Sequence, residues 1–152
     1  MAEVNSVQAQ KVADRKKLLP AESHGRVRVL VATLPATHAA YAVNDTILLG
    51  LVPVNSRFLL GGSVSVGGAG TASSTLDIGF RNAKTKEVLD ADGIAAAVDI
   101  SAAAKVAADT GSSVAAAVDY LTPVDVEVYA TVKGAVLAAN QQLKIQIPYV
   151  TD

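Results

Sequence analysis

From Arg26 onward, apolar and polar residues alternate in short runs, the period of two that a strand shows when one of its faces meets a core. Val27, Val29 and Val31 share a face within Arg26 to Leu34, and Ile47, Leu49 and Leu51 do so within Asp45 to Val52. Phe58, Leu60, Val64 and Val66 line up across Arg57 to Val66. Leu76, Ile78 and Phe80 oppose Asp77 and Arg81 in Ser74 to Arg81, and a short strand is expected near Glu87 to Leu89 after a hairpin turn at Lys84-Thr85-Lys86. The clearest runs come late. Val124, Val126, Val128, Ala130 and Val132 alternate with Asp125, Glu127, Tyr129 and Thr131, and Leu143, Ile145, Ile147 and Tyr149 alternate with Lys144 and Gln146. In each run the apolar face is expected to be the buried one. Pro148 has no N–H to give a ladder, so the last strand is expected to end there or to edge its sheet.

Two regions break the alternation. The Ala-rich segment 94–118 reads either way: Ala95 to Val98 and Ala115 to Val118 fit strands, whereas Ser101 to Asp109 fits one or two helical turns capped by Ser101. Residues 1–25 are polar, with Gln8, Gln10, Lys11, Asp14, Arg15, Lys16, Lys17 and Glu22, and end in turn-like residues at Pro20 and Gly25. Val4, Val7 and Val12 could mark a short helix, but their spacing is poor and the segment is expected to be unfolded when alone. Fully extended, about 25 residues reach roughly 80 to 90 Å, farther than the domain behind them is wide. About seven or eight short strands divided by Gly, Pro, Asn and Asp turns, with no long crossover helices, predict an all-β fold. We read an antiparallel, jelly-roll-like sandwich over 26–152 with an extended N-terminal arm over 1–25.

Composition narrows what such a domain can do. Of the 152 residues, 51% are hydrophobic but only 4% aromatic, so the core is built from Ala, Val, Leu and Ile, and association is a plausible supplement to its stability. The chain has no Cys, which excludes disulfides, thiolate catalysis and thiolate zinc sites. A formal net charge of −1 gives no overall attraction to nucleic acid or to anionic membrane. No segment approaches the roughly 20 uninterrupted apolar residues of a membrane-spanning helix, and the first residues lack the pattern of a signal peptide. Synthesis in a cytoplasm is the expectation.

The candidate motifs give little chemistry. Gly61 to Gly70 lacks the Gly-Lys-Ser/Thr of a phosphate loop and the spacing of a dinucleotide fingerprint, and is read as a loop or bulged hairpin. His24 and His38 accompany no Gly-x-Ser-x-Gly elbow and are read as ordinary solvated histidines. Asp90-Ala91-Asp92-Gly93 resembles part of a calcium loop but lacks the third acidic position and the later Glu, so it is read as a turn. Tyr41, Tyr120, Tyr129 and Tyr149 do not cluster in sequence as the aromatic platform of a sugar site would. No catalytic residue, metal ligand or cofactor is expected. Asp14-Arg15-Lys16-Lys17 fits docking on an acidic protein surface, with Val12, Leu18 and Leu19 as small anchors.

Several short stretches have a familiar order: Val4-Asn5-Ser6, then Pro20-Ala21-Glu22 leading to Gly25-Arg26-Val27-Arg28-Val29, Asn44-Asp45-Thr46-Ile47, Leu59-Leu60-Gly61-Gly62, Ser74-Thr75-Leu76-Asp77-Ile78-Gly79-Phe80 and the terminal Ile147-Pro148-Tyr149-Val150-Thr151-Asp152. Taken together they resemble the capsid decoration, or cement, proteins of tailed double-stranded DNA bacteriophages. The resemblance spans nearly the whole chain, each motif is short, and the Ala-rich middle departs most. It implies a jelly-roll-like subunit, a homotrimer, on the outer surface of a phage head, made in the host cytoplasm and carried in the virion. It further implies an arm that grips neighbouring major capsid protein subunits through Val4, Val7, Lys11, Val12, Arg15, Lys16, Lys17, Leu18 and Leu19. The alternative is a receptor- or glycan-binding β-sandwich of a phage tail.

Overall fold

The computed structural model describes residues 7–18, 25–116 and 120–151. A short helix, α1 (Val7–Ala13), precedes nine strands: β1 (Arg26–Thr33), β2 (Thr46–Val52), β3 (Arg57–Phe58), β4 (Ser63–Val66), β5 (Thr75–Asn82), β6 (Val88–Asp99), β7 (Lys105–Ala107), β8 (Val126–Lys133) and β9 (Leu143–Thr151). They form two antiparallel sheets. One runs β1-β9-β4-β7, with β3 also paired to β9; the other runs β2-β8-β5-β6. The fold is an all-β, jelly-roll-like sandwich. Its core is aliphatic, with Leu76, Ile78, Ile94, Ile100, Leu143 and Ile147 fully buried. Three rings lie among them: Phe80 stands 5.4 Å from Phe58 and 5.3 Å from Tyr120.

In β5, β8 and β9 the apolar series is buried as the alternation predicts, although in β8 Glu127 and Tyr129 on the other face are buried as well. Leu143, Ile145, Ile147 and Tyr149 of β9 are buried, as are Val126, Val128, Ala130 and Val132 of β8 and Leu76, Ile78 and Phe80 of β5. Elsewhere the tertiary structure departs from the pattern. The valine face of β1 points outward, Val27, Val29 and Val31 being 67%, 52% and 51% exposed, while Leu30, Ala32 and Leu34 pack on the core. In β2 a bulge between Leu48 and Gly50 shifts the phase by one residue, so that Val52 is buried and Leu51 faces solvent. The run from Arg57 to Val66 is two strands, because Gly61 adopts φ +101°, a turn conformation that throws Leu60 outward.

Pro148 neither ends nor edges its strand. β9 is an interior strand that continues to Thr151. The Leu59 N–H donates to the Pro148 carbonyl at 2.9 Å, so Pro148 directs its backbone groups away from β1. On that side β3 has ended at Phe58 and β4 starts only at Ser63, and the missing donor falls in the gap.

The Ala-rich segment resolves as strand, then turn. Ala95 to Val98 lies in β6, which runs from Val88 through the predicted turn Asp90–Gly93. Residues 105–107 form β7 rather than a helix, and Ser101 donates to the Asp99 carboxylate instead of capping one. Ser112–Ala116 makes one wide helical turn, so the strand expected at Ala115 does not form there; residues 117–119 lie outside the described residues.

Candidate interaction surfaces

Within the N-terminal segment, the seven residues of α1 close with a motif legible in backbone bonds alone. The Lys16 N–H donates to the Lys11 carbonyl at 2.8 Å and the Arg15 N–H to that of Val12 at 3.0 Å, with Arg15 at φ 56°. This is the Schellman arrangement, which satisfies the last helical carbonyls and usually places Gly where Arg15 stands. Asp14 accepts from the Gln10 amide at 2.9 Å and pairs with Lys16 at 3.4 Å. Lys11 and Leu18 are half-buried, whereas Val12, Arg15, Lys16 and Lys17 are exposed. The helix thus gathers Lys11, Val12 and the basic residues that follow into one short stretch. Val7 opens α1, and Val4, Leu19 and His24 lie outside the described residues.

A second surface comes from the sandwich itself. β1 and β2 are the edge strands on the same side of the two sheets, and Leu30 of β1 fills the place that a side chain on Gly50 of β2 would take. Beside that contact an apolar crevice of about 170 Å³ opens between them, lined by Ala32, Leu34, Tyr41, Ile47, Leu49 and Ile145 among others. Outside the crevice stand Val27, Val29 and Val31 on one strand, and Leu48 and Leu51 on the other, all exposed. Sequence reading missed this surface by burying the valines. The signal was present, since Val29-Leu30-Val31-Ala32 is apolar on both faces and a strand can turn only one of them toward a single core.

The outer face of the second sheet carries charge in a clamped form. Glu127 accepts from Lys86 and, at 2.8 Å, from the Nε of Arg81, whose guanidinium also lies 5.2 Å over the Tyr129 ring. The Lys86 bond first and the Arg81 bond second hold the Glu127 carboxyl below its ordinary range. Burial raises the Tyr129 hydroxyl above its ordinary value, and burial followed by the Asp90 charge does the same for Tyr120. A carboxylate saturated by two cations binds structure together; it has little basicity left for proton transfer.

The remaining motifs are occupied within the fold. Asp90 accepts from the hydroxyls of Ser112 and Ser113, each at 3.0 Å, and among the described residues no three His, Asp or Glu side chains converge as a metal site. His38 sets its ring nitrogens against the carbonyls of Ala39 and Gln141, at 2.7 and 2.9 Å, and stacks on Tyr41. It is therefore a part-buried tie between two loops and not a freely solvated group. Gly61 to Gly70, read as a loop or bulged hairpin, contains β4, and a side chain on Gly62 would strike the Ala108 carbonyl. Tyr129 and Tyr149 are buried, and Tyr41 and Tyr120 are half-buried against His38 and Phe80.

No protein-family model and no curated protein sequence matches the chain. Solved structures do. A chain of the Ralstonia phage GP4 capsid superposes with a TM-score of 0.65 at 20% identity, over 90% of this chain and 92% of that one. A chain of the cyanophage Pam1 capsid asymmetric unit superposes at 0.54 and 16% identity, over the full length of both. At these identities the likeness is one of fold, and it extends over nine-tenths or more of the chain.

Proposed function

We propose that this chain is a structural protein of a bacteriophage head that binds the outer surface of the shell and braces neighbouring major capsid subunits. The observation that carries the reading is the fold likeness, over nine-tenths or more of this chain, to chains from two phage capsids. Two features of the molecule support it. The polar groups of Glu127 and Asp90 are engaged in holding strands and loops together, and five exposed apolar residues, Val27, Val29, Val31, Leu48 and Leu51, stand together on the neighbouring edge strands β1 and β2, as in a protein that works by contact. A ligand that binds only the assembled shell shifts the equilibrium away from rupture by mass action, and no chemical step is needed. The arm residues Lys11, Val12, Arg15, Lys16, Lys17 and Leu18 supply the grip in this reading, together with Val4, Val7 and Leu19.

The alternative, a receptor- or glycan-binding β-sandwich of a phage tail, gains no support for glycan binding, because sugar faces pack on open rings and the tyrosines here are covered or half-covered by neighbours. The test is to mix purified protein with emptied heads of its phage and image them. Density on the outer surface at junctions between major capsid subunits is expected, and deletion of residues 2–24 is expected to abolish it while the β-sheet circular dichroism persists. Heads that stay bare, or glycan binding without head binding, would overturn the reading.

A further inference from the structure

β1 is an edge strand whose protections, among the described residues, are two arginines near its start, Arg26 and Arg28. It is eight residues long and pairs with β9 in unbroken register from Arg26↔Thr151 to Thr33↔Lys144, with no bulge and no proline of its own. Its outward-facing side chains from Val27 to Val31 are all valine. Natural edges of this kind are normally blunted by a bulge, a proline or a lysine, because a flat apolar edge invites another strand.

The hydrogen-bond phase of β1 identifies its free groups. The Leu34 N–H donates to the Leu143 carbonyl at 3.0 Å. In an antiparallel ladder the bonded residues alternate, so Ala32, Leu30 and Arg28 bond to β9 and Val27, Val29 and Val31 direct their N–H and C=O groups to the open edge. Among the described residues nothing accepts from or donates to them. The same three residues therefore present both the exposed apolar side chains and the unpaired backbone.

We propose that the occupant of this edge is β1 of a second copy of the chain, paired antiparallel about a two-fold axis at Val29. Register and charge select that arrangement. Outward groups must meet outward groups, so odd residues pair with odd ones. Centring on Val29 sets Val29 against Val29 and Val27 against Val31 twice, so that every valine of the edge meets a valine and three bonded pairs form. It also sets Arg28 opposite Leu30 and Arg26 opposite Ala32. Sliding by one allowed step toward the start of the strand would place Arg28 against Arg28, whose side chains have no acidic partner among the described residues, and like charges directly opposite are destabilising. Sliding the other way leaves Val27 against Thr33. The two-fold contact also consumes both open edges at once, so it closes as a dimer and does not propagate. The β1 sheets of the two copies then form one continuous sheet. This association is independent of the head reading, because it is measured on the free protein.

The chain has no Cys, which makes a direct test available. In a bonded antiparallel pair the facing Cα atoms lie about 5.5 Å apart, within the roughly 4.4–6.8 Å that a disulfide spans. Full-length Val29→Cys is expected to form a covalent dimer under mild oxidation by diamide, whereas Val136→Cys, also exposed but in the segment between β8 and β9, is not. Val27→Cys and Val31→Cys are expected to cross-link with one another when mixed. In sedimentation equilibrium the unmodified protein is expected to be a dimer, and Val29→Lys to raise its dissociation constant at least about tenfold. Val29→Pro, whose missing N–H lies on the open edge, is expected to act the same way and covers the case in which the lysine variant misfolds. A monomer at every concentration, cross-linking of Val136→Cys as fast as Val29→Cys, or a trimer unchanged by both substitutions would overturn the proposal. Head decoration by the Val29→Lys variant then reads the function of the preceding section separately.

Discussion

β9 and β1 lie side by side, carry the same alternating pattern, and meet opposite fates. In β9 the apolar series Leu143, Ile145, Ile147 and Tyr149 is buried, and the strand has neighbours on both edges. In β1 the valine series is exposed and one edge has no partner among the described residues. The difference lies in position within the sheet and in a second apolar set, Leu30, Ala32 and Leu34, where β9 has Lys144 and Gln146. Periodicity announces that a strand has two unlike faces; which face turns inward depends on what the opposite sheet offers. Leu30, Ala32 and Leu34 meet β2 across the crevice, so the valines are left for the outside.

This contrast can be broken at graded cost. The largest effect is expected at the interior strand: Ile147→Ala should destabilise the fold by about 2 to 5 kcal/mol in urea unfolding, because it opens a cavity in a closed core. Next comes Gly79→Ala in β5. The added methyl would sit 2.3 Å from the Ala91 backbone, where β6 bulges beside β5, and a loss of about 1 to 3 kcal/mol is expected. Equal stability of that variant and the parent would mean that β6 can move aside.

The Glu127 clamp gives a pH-dependent effect. Its carboxyl is held below the ordinary value in the folded state, so its contribution is present above the unfolded value of about 4.3 and is lost as pH falls through the folded one. Glu127→Gln should therefore lower the melting temperature most near neutral pH, with the gap to the parent closing in acid. A gap that is constant with pH would show that Lys86 and Arg81 do not favour the charged form. The smallest effect belongs to the open edge. Val31→Ala, measured at dilutions where the chain is monomeric, should cost less than about 0.5 kcal/mol, against the several expected at Ile147.

Much of the architecture was legible in the residues. Strands β5, β8 and β9 follow from alternation alone because each has a core against one face along its whole length. The turn at Lys84-Thr85-Lys86 was legible too: the Asn82 side chain accepts from the Lys84 and Thr85 N–H groups, a local preference that needs no tertiary help. Less could be read where a small local event resets the phase. The bulge before Gly50, the φ of Gly61 and the gap opposite Pro148 each turn on one residue's backbone, and a pattern of apolar letters does not record them. The two candidate surfaces differ in this respect. Lys11, Val12 and the basic residues after them were proposed for docking from composition, and head binding by the truncated chain is their test, whereas the β1 edge was not foreseen, because an exposed valine and a buried one are written alike.

By itself the sequence determined that the chain forms antiparallel strands packed around an aliphatic core, with a polar segment ahead of them. Local preference and the period of side chains along a strand are properties of neighbouring residues, and the residues carry them. Tertiary structure alone decided which strands lie at the edges, which valines stay outside, and which backbone groups remain unpaired. Those are outcomes of competition between distant segments for the same interior, and they are settled only when the two sheets meet.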